Sequence, residues 1–182
     1  REPTFLDGGV ELDSRIHLVD DGTVPGGLYT RSFDDRGVGP VPLMLLREGR
    51  VDAEFLDVGT ASRREVRPTG HLVGDALRPS NLQLRGGSRS MNALMAEMDE
   101  PVLVLDHLSG FEEGIDWVTG DLACRCSGRI QRNGKIDGIV CDLPLTGNLR
   151  HVLSNVVDLA SDTDRIRAVD APAICVDGFT VG

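Results

Sequence analysis

Short apolar runs separated by glycine-containing turns dominate this chain, and sustained helical stripes are few. Val41-Pro-Leu-Met-Leu-Leu46, the polar Arg47-Glu-Gly-Arg50 and Val51-Asp-Ala-Glu-Phe-Leu56 read as a β-hairpin. A second hairpin is expected from Leu122 to Gln131 and from Ile136 to Leu143, joined through Arg132-Asn-Gly-Lys135. Asn-Gly is the pair a type I′ turn prefers, because both central residues need positive φ. Two segments carry helical spacing instead. Met91, Leu94, Met95 and Met98 fall at i, i+3, i+4 and i+7, with Ser88 as N-cap and Asp99-Glu-Pro101 closing the segment. Leu149, Val152, Leu153 and Val156 repeat the spacing. Each helix offers one apolar stripe to a sheet, and Val102-Leu-Val-Leu105 reads as a buried strand beneath the first. The methionine stripe reads as core packing rather than a promiscuous groove. Val58 to Leu77 has no clean period and reads as a loop crossing a sheet or an interface. The pattern predicts an α+β fold, mainly antiparallel β-sheet with two or three short amphipathic helices packed on it. Residues 1–182 read as one domain, without internal repeats.

Composition narrows the classes of function. With 182 residues, 40% hydrophobic and 26% charged, the chain can bury a sizeable core. A net charge of −10 argues against nucleic acid as a partner, since phosphate binding depends on clustered basic side chains. Lys135 is the only lysine. No run approaches the roughly 18 apolar residues of a membrane span, and Arg1 to Leu12 has no apolar leader core, so a soluble, cytoplasmic chain without membrane contact is expected. The four cysteines, Cys124, Cys126, Cys141 and Cys175, are irregularly spaced and are expected as free, mostly buried thiols.

Candidate chemistry is sparse. His17, His71, His107 and His151 lie far apart, and no H-E-x-x-H or H-E-x-x-x-H string supplies a zinc peptidase helix. Cys124-Arg-Cys126 is one local alternative, because alternate strand residues share a face and two thiols there could hold a soft metal with a distant histidine such as His71. Two small core thiols explain the same residues. No G-x-S-x-G elbow occurs, and the sequence does not bring a Ser/His/Asp trio together. Asp20-Asp21, Asp34-Asp35 and Glu112-Glu113 are adjacent carboxylates that read as solvated or turn-capping groups rather than acid/base or calcium sites. Arg85-Gly-Gly-Ser88 is too short for a phosphate loop.

A set of strings in a fixed order points further. Val19-Asp-Asp-Gly-Thr23, Pro25-Gly-Gly27, Phe33-Asp-Asp-Arg-Gly-Val38, Leu46-Arg-Glu-Gly-Arg-Val51, Pro68-Thr-Gly70 and Arg78-Pro-Ser-Asn-Leu82 come first. Val118-Thr-Gly-Asp121, Arg132-Asn-Gly-Lys-Ile136, Leu145-Thr-Gly-Asn-Leu149 and Val176-Asp-Gly-Phe-Thr-Val181 follow. From about Val19 onward, this order resembles the C-terminal domain of the TldD/PmbA (TldE) family of metallopeptidase subunits.

The resemblance implies a division of labour. In the TldD branch a zinc site is built from H-E-x-x-x-H and a G-V-C-G-K cysteine; this chain has no G-V-C-G-K, and Cys175, in the stretch read as the last strand, is not matched to that cysteine. Leu145-Thr-Gly-Asn-Leu149 looks like the TldE branch, where TldD proteins tend to read L-I-G-S-G. By resemblance the chain is thus a TldE-like, non-catalytic subunit with no catalytic, cofactor-binding or metal residues of its own. It is expected to lack the family's N-terminal α/β domain. Zinc is expected in a TldD-like partner, and the substrate is an unfolded peptide, with leader-peptide removal in natural-product maturation as a setting. Two alternatives stay open: a self-sufficient metallopeptidase with a Cys124, Cys126 and His71 metal site, and a peptide-binding domain acting by strand addition.

Overall fold

Glu48 and Gly49 lie at φ 50° and 73°, and Asn133 and Gly134 at φ 50° and 72°. Paired positive values of this kind belong to two-residue hairpin turns whose twist matches their strands, so both expected hairpins form. The structure, a computed structural model, describes Gly9 and residues 11–182. The segment read as lacking a leader, Arg1 to Leu12, lies outside the described residues except for Gly9, Glu11 and Leu12. No helix among the described residues is long and apolar enough to cross a membrane.

In chain order the elements begin with β1 (Leu18–Asp20), β2 (Leu43–Arg47), β3 (Arg50–Val51), α1 (Val58–Arg63), β4 (Leu72–Val73), β5 (Ala76–Leu77) and β6 (Leu82–Leu84). There follow α2 (Met91–Glu97), β7 (Val102–Ser109), α3 (Phe111–Gly114), β8 (Asp121–Arg132) and β9 (Lys135–Asn148). The chain closes with α4 (Leu149–Ser154), β10 (Val156–Ile166), β11 (Val169–Val176) and β12 (Thr180–Val181). The fold is α+β with mostly antiparallel pairing, as the pattern predicts, although four helices form among the described residues rather than two or three.

The described residues fall into two compact units. One comprises Ile16–Gly86 and Thr163–Pro172. Its sheet runs β11-β6-β1-β2-β3, with β10 beside β11. Pairing is antiparallel from β6 through β1 and β2 to β3, while β11 lies parallel to β6 through Val169↔Leu82 and Asp170↔Gln83. The expected strand over 51–56 shrinks to Arg50–Val51. Val58 to Leu77, read as a loop, instead holds α1 and the β4–β5 hairpin. Asp57 caps α1 by accepting from the Thr60 backbone N–H, and only Ala61 of the helix is buried, so no apolar stripe announces it.

The other unit comprises the described residues up to Arg15 together with Gly87–Asp162 and Ala173–Gly182. Its sheet has the order β12-β9-β8-β7, with β8 and β9 paired along nearly their full length. Alternation on β8 sends Leu122, Cys124 and Cys126 into a core with Ile115 and Leu145. The N-cap of α2 is Ser90, not Ser88: its side chain accepts from the Ala93 backbone N–H, while Leu94 and Met95 are buried. The helix can begin only once the chain has left the Arg89↔Ala160 bridge. The second stripe is cut short in the same way, since α4 ends at Ser154 and Val156 is buried as the first residue of β10. Strand β7, expected to be buried, is a half-exposed edge.

Candidate functional site

In the first unit, the end of β1 and the loops around β4–β6 converge on a buried polar network. His71 Nε2–H donates to Asp20 Oδ2 at 2.7 Å, and both side chains are fully buried. A carboxylate can only accept, so the proton sits on Nε2; Nδ1 is left buried without a partner. Asp20 Oδ1 accepts the Ser80 backbone N–H at 2.7 Å, and Ser80 Oγ accepts from Arg31 Nη2 at 2.8 Å. The Phe55 ring packs on His71 with centroids 4.4 Å apart and planes tilted by 34°. The structure therefore does bring an Asp, a His and a Ser together. Their wiring does not suit nucleophilic catalysis, because the Ser80 hydroxyl faces arginine rather than the imidazole and none of the three reaches solvent.

Beside this network, Asn81 fastens the loop after β1. Its amide nitrogen donates to Asp21 O and Thr30 Oγ1, and its oxygen accepts the Tyr29 backbone N–H. Asp34 closes the same loop on itself and on β4 by accepting from the backbone N–H groups of Arg36, Val38 and Leu72. Burial pushes the Asp34 carboxyl up, but these three donors outweigh it and hold the group below the ordinary carboxylate value. Of the adjacent carboxylates, Asp21, Asp34 and Asp35 accept turn bonds as expected. Asp20 departs from that reading, being a buried acceptor rather than a solvated one.

In the second unit, three further strings meet. Asp121 Oδ2 accepts from Thr119 Oγ1 and Asp121 Oδ1 from Asn148 Nδ2, which also donates to Thr119 O. Asn148 Oδ1 accepts from the His151 backbone N–H and so caps α4. Gly147 lies so close to Phe179 that a Cβ there would stand 2.6 Å from the ring, and Gly178 sits against the His151 imidazole. Hydrogen bonds from Asn148 first and Thr119 second hold the Asp121 carboxyl below its ordinary value.

The residues weighed as a metal site are placed apart in function. Cys124 and Cys126 lie in the apolar core of the second unit, and burial, aided by the neighbouring Cys126 sulfur, pushes the Cys124 thiol up, away from the thiolate a metal binds. His71 belongs to the first unit and is engaged by Asp20. Among the described residues no three His, Cys, Asp or Glu side chains form a group that could hold a metal, so this donor set does not fit zinc. Cys141 is exposed and Cys175 half-buried, so only two of the four thiols are fully buried as expected. The sequence reading missed the Asp20–His71 pair because 51 residues separate the partners. Its trace was there: Asp20 lies in Val19–Thr23, Ser80 in Arg78–Leu82, and His71 directly follows Pro68–Gly70.

The surface carries large exposed apolar side chains. In the first unit Leu28, Tyr29 and Phe33 stand out on the loop that Asn81 and Asp34 hold; in the second, Ile136 and Ile139 stand out on β9.

Comparison with known proteins places these features in context. Residues 9–182 match the model of the PmbA/TldA metallopeptidase C-terminal domain. The metalloprotease PmbA of Escherichia coli O157:H7 is 27% identical over 138 residues, covering 76% of this chain and 29% of its own length. A metalloprotease of Methanothermobacter thermautotrophicus is 30% identical over 156 residues, covering 81% of this chain and 33% of its own. The chain thus spans about a third of the length of the curated relatives it matches. Among solved structures, a Thermotoga maritima protein described as a candidate modulator of a DNA gyrase superposes with a TM-score of 0.84 at 27% identity, over 94% of this chain and 40% of that one. TldE from Thermococcus kodakarensis superposes with a TM-score of 0.77 at 18% identity, over 92% of this chain and 40% of that one, a likeness of fold alone.

Proposed function

The chain belongs to the PmbA/TldA metallopeptidase C-terminal domain family, and on that premise we propose that it acts as a TldE-like subunit beside a TldD-type zinc metallopeptidase, with unfolded peptides as substrates. The observation that carries this reading is the state of its own donor groups. Cys124 and Cys126 are packed as small apolar side chains, and His71 spends its Nε2 proton on Asp20. Zinc chemistry on peptides needs about three protein ligands and an open position. In this reading a partner supplies that set. This chain shapes and orients: its ordered strings lock loops through Asp20, Asn81, Asp121 and Asn148, and its exposed apolar side chains supply contact surface. Leader-peptide removal in a cytoplasmic maturation pathway is a setting in keeping with that role.

The test is metal analysis and peptidase assay of the purified chain, alone and mixed with a TldD-like protein. No stoichiometric zinc and no cleavage by the chain alone, with cleavage of an unfolded peptide by the mixture, is the expected result. One zinc per molecule, removed by Cys124→Ser or Cys126→Ser, overturns the reading in favour of a self-sufficient metal site.

A further inference from the structure

The turn joining β10 and β11 places an arginine where a hairpin favours glycine. Arg167, the first of the two turn residues Arg167-Ala168, lies at φ 57°, in the left-handed region that L side chains adopt at a cost. The turn is anchored, with the Leu82 backbone N–H donating to Ala168 O at 2.8 Å. Strain of this kind in a well-held turn directs attention to the side chain that it carries.

Arg167 lines a small depression of the first unit, together with Gly27, Asn81, Gln83, Arg165 and Asp170. The two arginines differ. Arg165 Nη2 donates to Asp170 Oδ2 at 3.1 Å, so that pair is internally neutral. No carboxylate among the described residues pairs with Arg167, in a chain whose acidic residues outnumber its basic ones by 29 to 19. The depression also holds an under-used acceptor: Asp170 Oδ1 is buried without a well-aligned hydrogen bond, although the Thr163 hydroxyl foremost, and Arg165 after it, hold that carboxyl below its ordinary value. An unpaired guanidinium beside an acceptor with a free lone pair is complementary to a group that carries both an anionic oxygen and an N–H. The opposite wall is fixed in advance, because all three bonds of the Asn81 amide are made within the loop. That same loop continues from Gly27 into Leu28 and Tyr29, which are 59% and 51% exposed.

We propose that this depression is a recognition site for the carboxyl terminus of an extended peptide, with the terminal carboxylate on the Arg167 guanidinium and the last apolar side chains against Leu28 and Tyr29. The space admits only about one water-sized group, so the carboxylate meets the exposed Arg167 at the mouth of the depression and the remainder of the peptide lies outside. The assignment rests on the reading of this protein as a peptide-handling subunit and adds the end of the peptide that it holds.

The experiment is fluorescence anisotropy on the isolated chain with an N-terminally labelled hexapeptide ending in Leu-Phe, as the free acid and as the C-terminal amide. The free acid is expected to bind at least ten-fold more tightly. Arg167→Gly, which fits the positive φ and is expected to keep the melting temperature, should bring the acid to the level of the amide; Arg167→Lys should retain part of the preference. Equal binding of acid and amide, or a preference unaffected by Arg167→Gly, overturns the site. Inorganic phosphate competing as strongly as the free acid would reduce it to a general anion site and overturn the peptide assignment. Binding is read on this chain alone, so its failure is distinct from failure of the subunit reading, which is decided by zinc content and by cleavage with the partner.

Discussion

Asn148 Nδ2 donates to Asp121 Oδ1 at 2.8 Å, tying the string that opens β8 to the one that ends β9. The bond also sets a charge: Asn148 foremost, and Thr119 after it, keep the Asp121 carboxyl below the ordinary carboxylate value. A carboxylate depressed in the folded state stabilises it above the unfolded-state pKa and loses that contribution as pH falls through the depressed folded value. In Asn148→Ala the Asp121 carboxyl is expected to titrate closer to its ordinary value, followed by NMR. Loss of the α4 cap adds a destabilisation of about 1 kcal/mol that acid does not remove. Unchanged Asp121 titration in the variant would show that the bond does not set the charge.

Asp20 and His71 test the buried network. Asp20→Ala leaves His71 Nε2–H and the Ser80 N–H without their acceptor and should destabilise by about 3 kcal/mol or more in urea unfolding. Asp20→Asn should cost clearly less, because its oxygen still accepts from Ser80 while its amide donates to the other tautomer of His71. Equal losses in the two variants would count against this account.

Gly134 occupies the second turn position between β8 and β9 at φ 72°. Gly134→Val should lower stability by about 1 kcal/mol or more, because a β-branched residue tolerates positive φ poorly. An unaltered melting temperature would argue that the turn relaxes elsewhere.

The thiols are expected to react in order of exposure. With native protein and a thiol reagent at neutral pH, Cys141 should label first, because it is exposed. Cys175, half-buried, and Cys124, buried, have thiols that burial pushes up and should lag; Cys126 should be protected with Cys124 until unfolding. Early modification of Cys124 would contradict the core placement.

The exposed apolar side chains carry a prediction about association. With Leu28, Tyr29, Phe33, Ile136 and Ile139 open to solvent, the chain should bind a partner or self-associate at micromolar concentration in sedimentation velocity. A well-behaved monomer that remains so with a TldD-like protein present would speak against a subunit role.

Local signals alone determined the two hairpins, the α+β class and most of α2, because Asn-Gly and Glu-Gly turns and a 3.6-residue apolar period are properties of neighbouring residues. The ordered strings also carried the family. What they do physically was not legible there. Asp20 meets His71 across 51 residues and Ser80 across 60, and Asn148 meets Asp121 across 27. Such partners are chosen by strand register and chain crossing, which leave no local period. Helix limits were decided the same way: Ser90 rather than Ser88 caps α2 because the Arg89↔Ala160 bridge holds the chain extended up to that point, and Val156 is claimed by β10. Likewise, Cys124 and Cys126 share a face by strand alternation, which the sequence already implied, but their surroundings of Ile115, Leu122 and Leu145 arise only when distant segments pack, and that burial pushes the Cys124 thiol up.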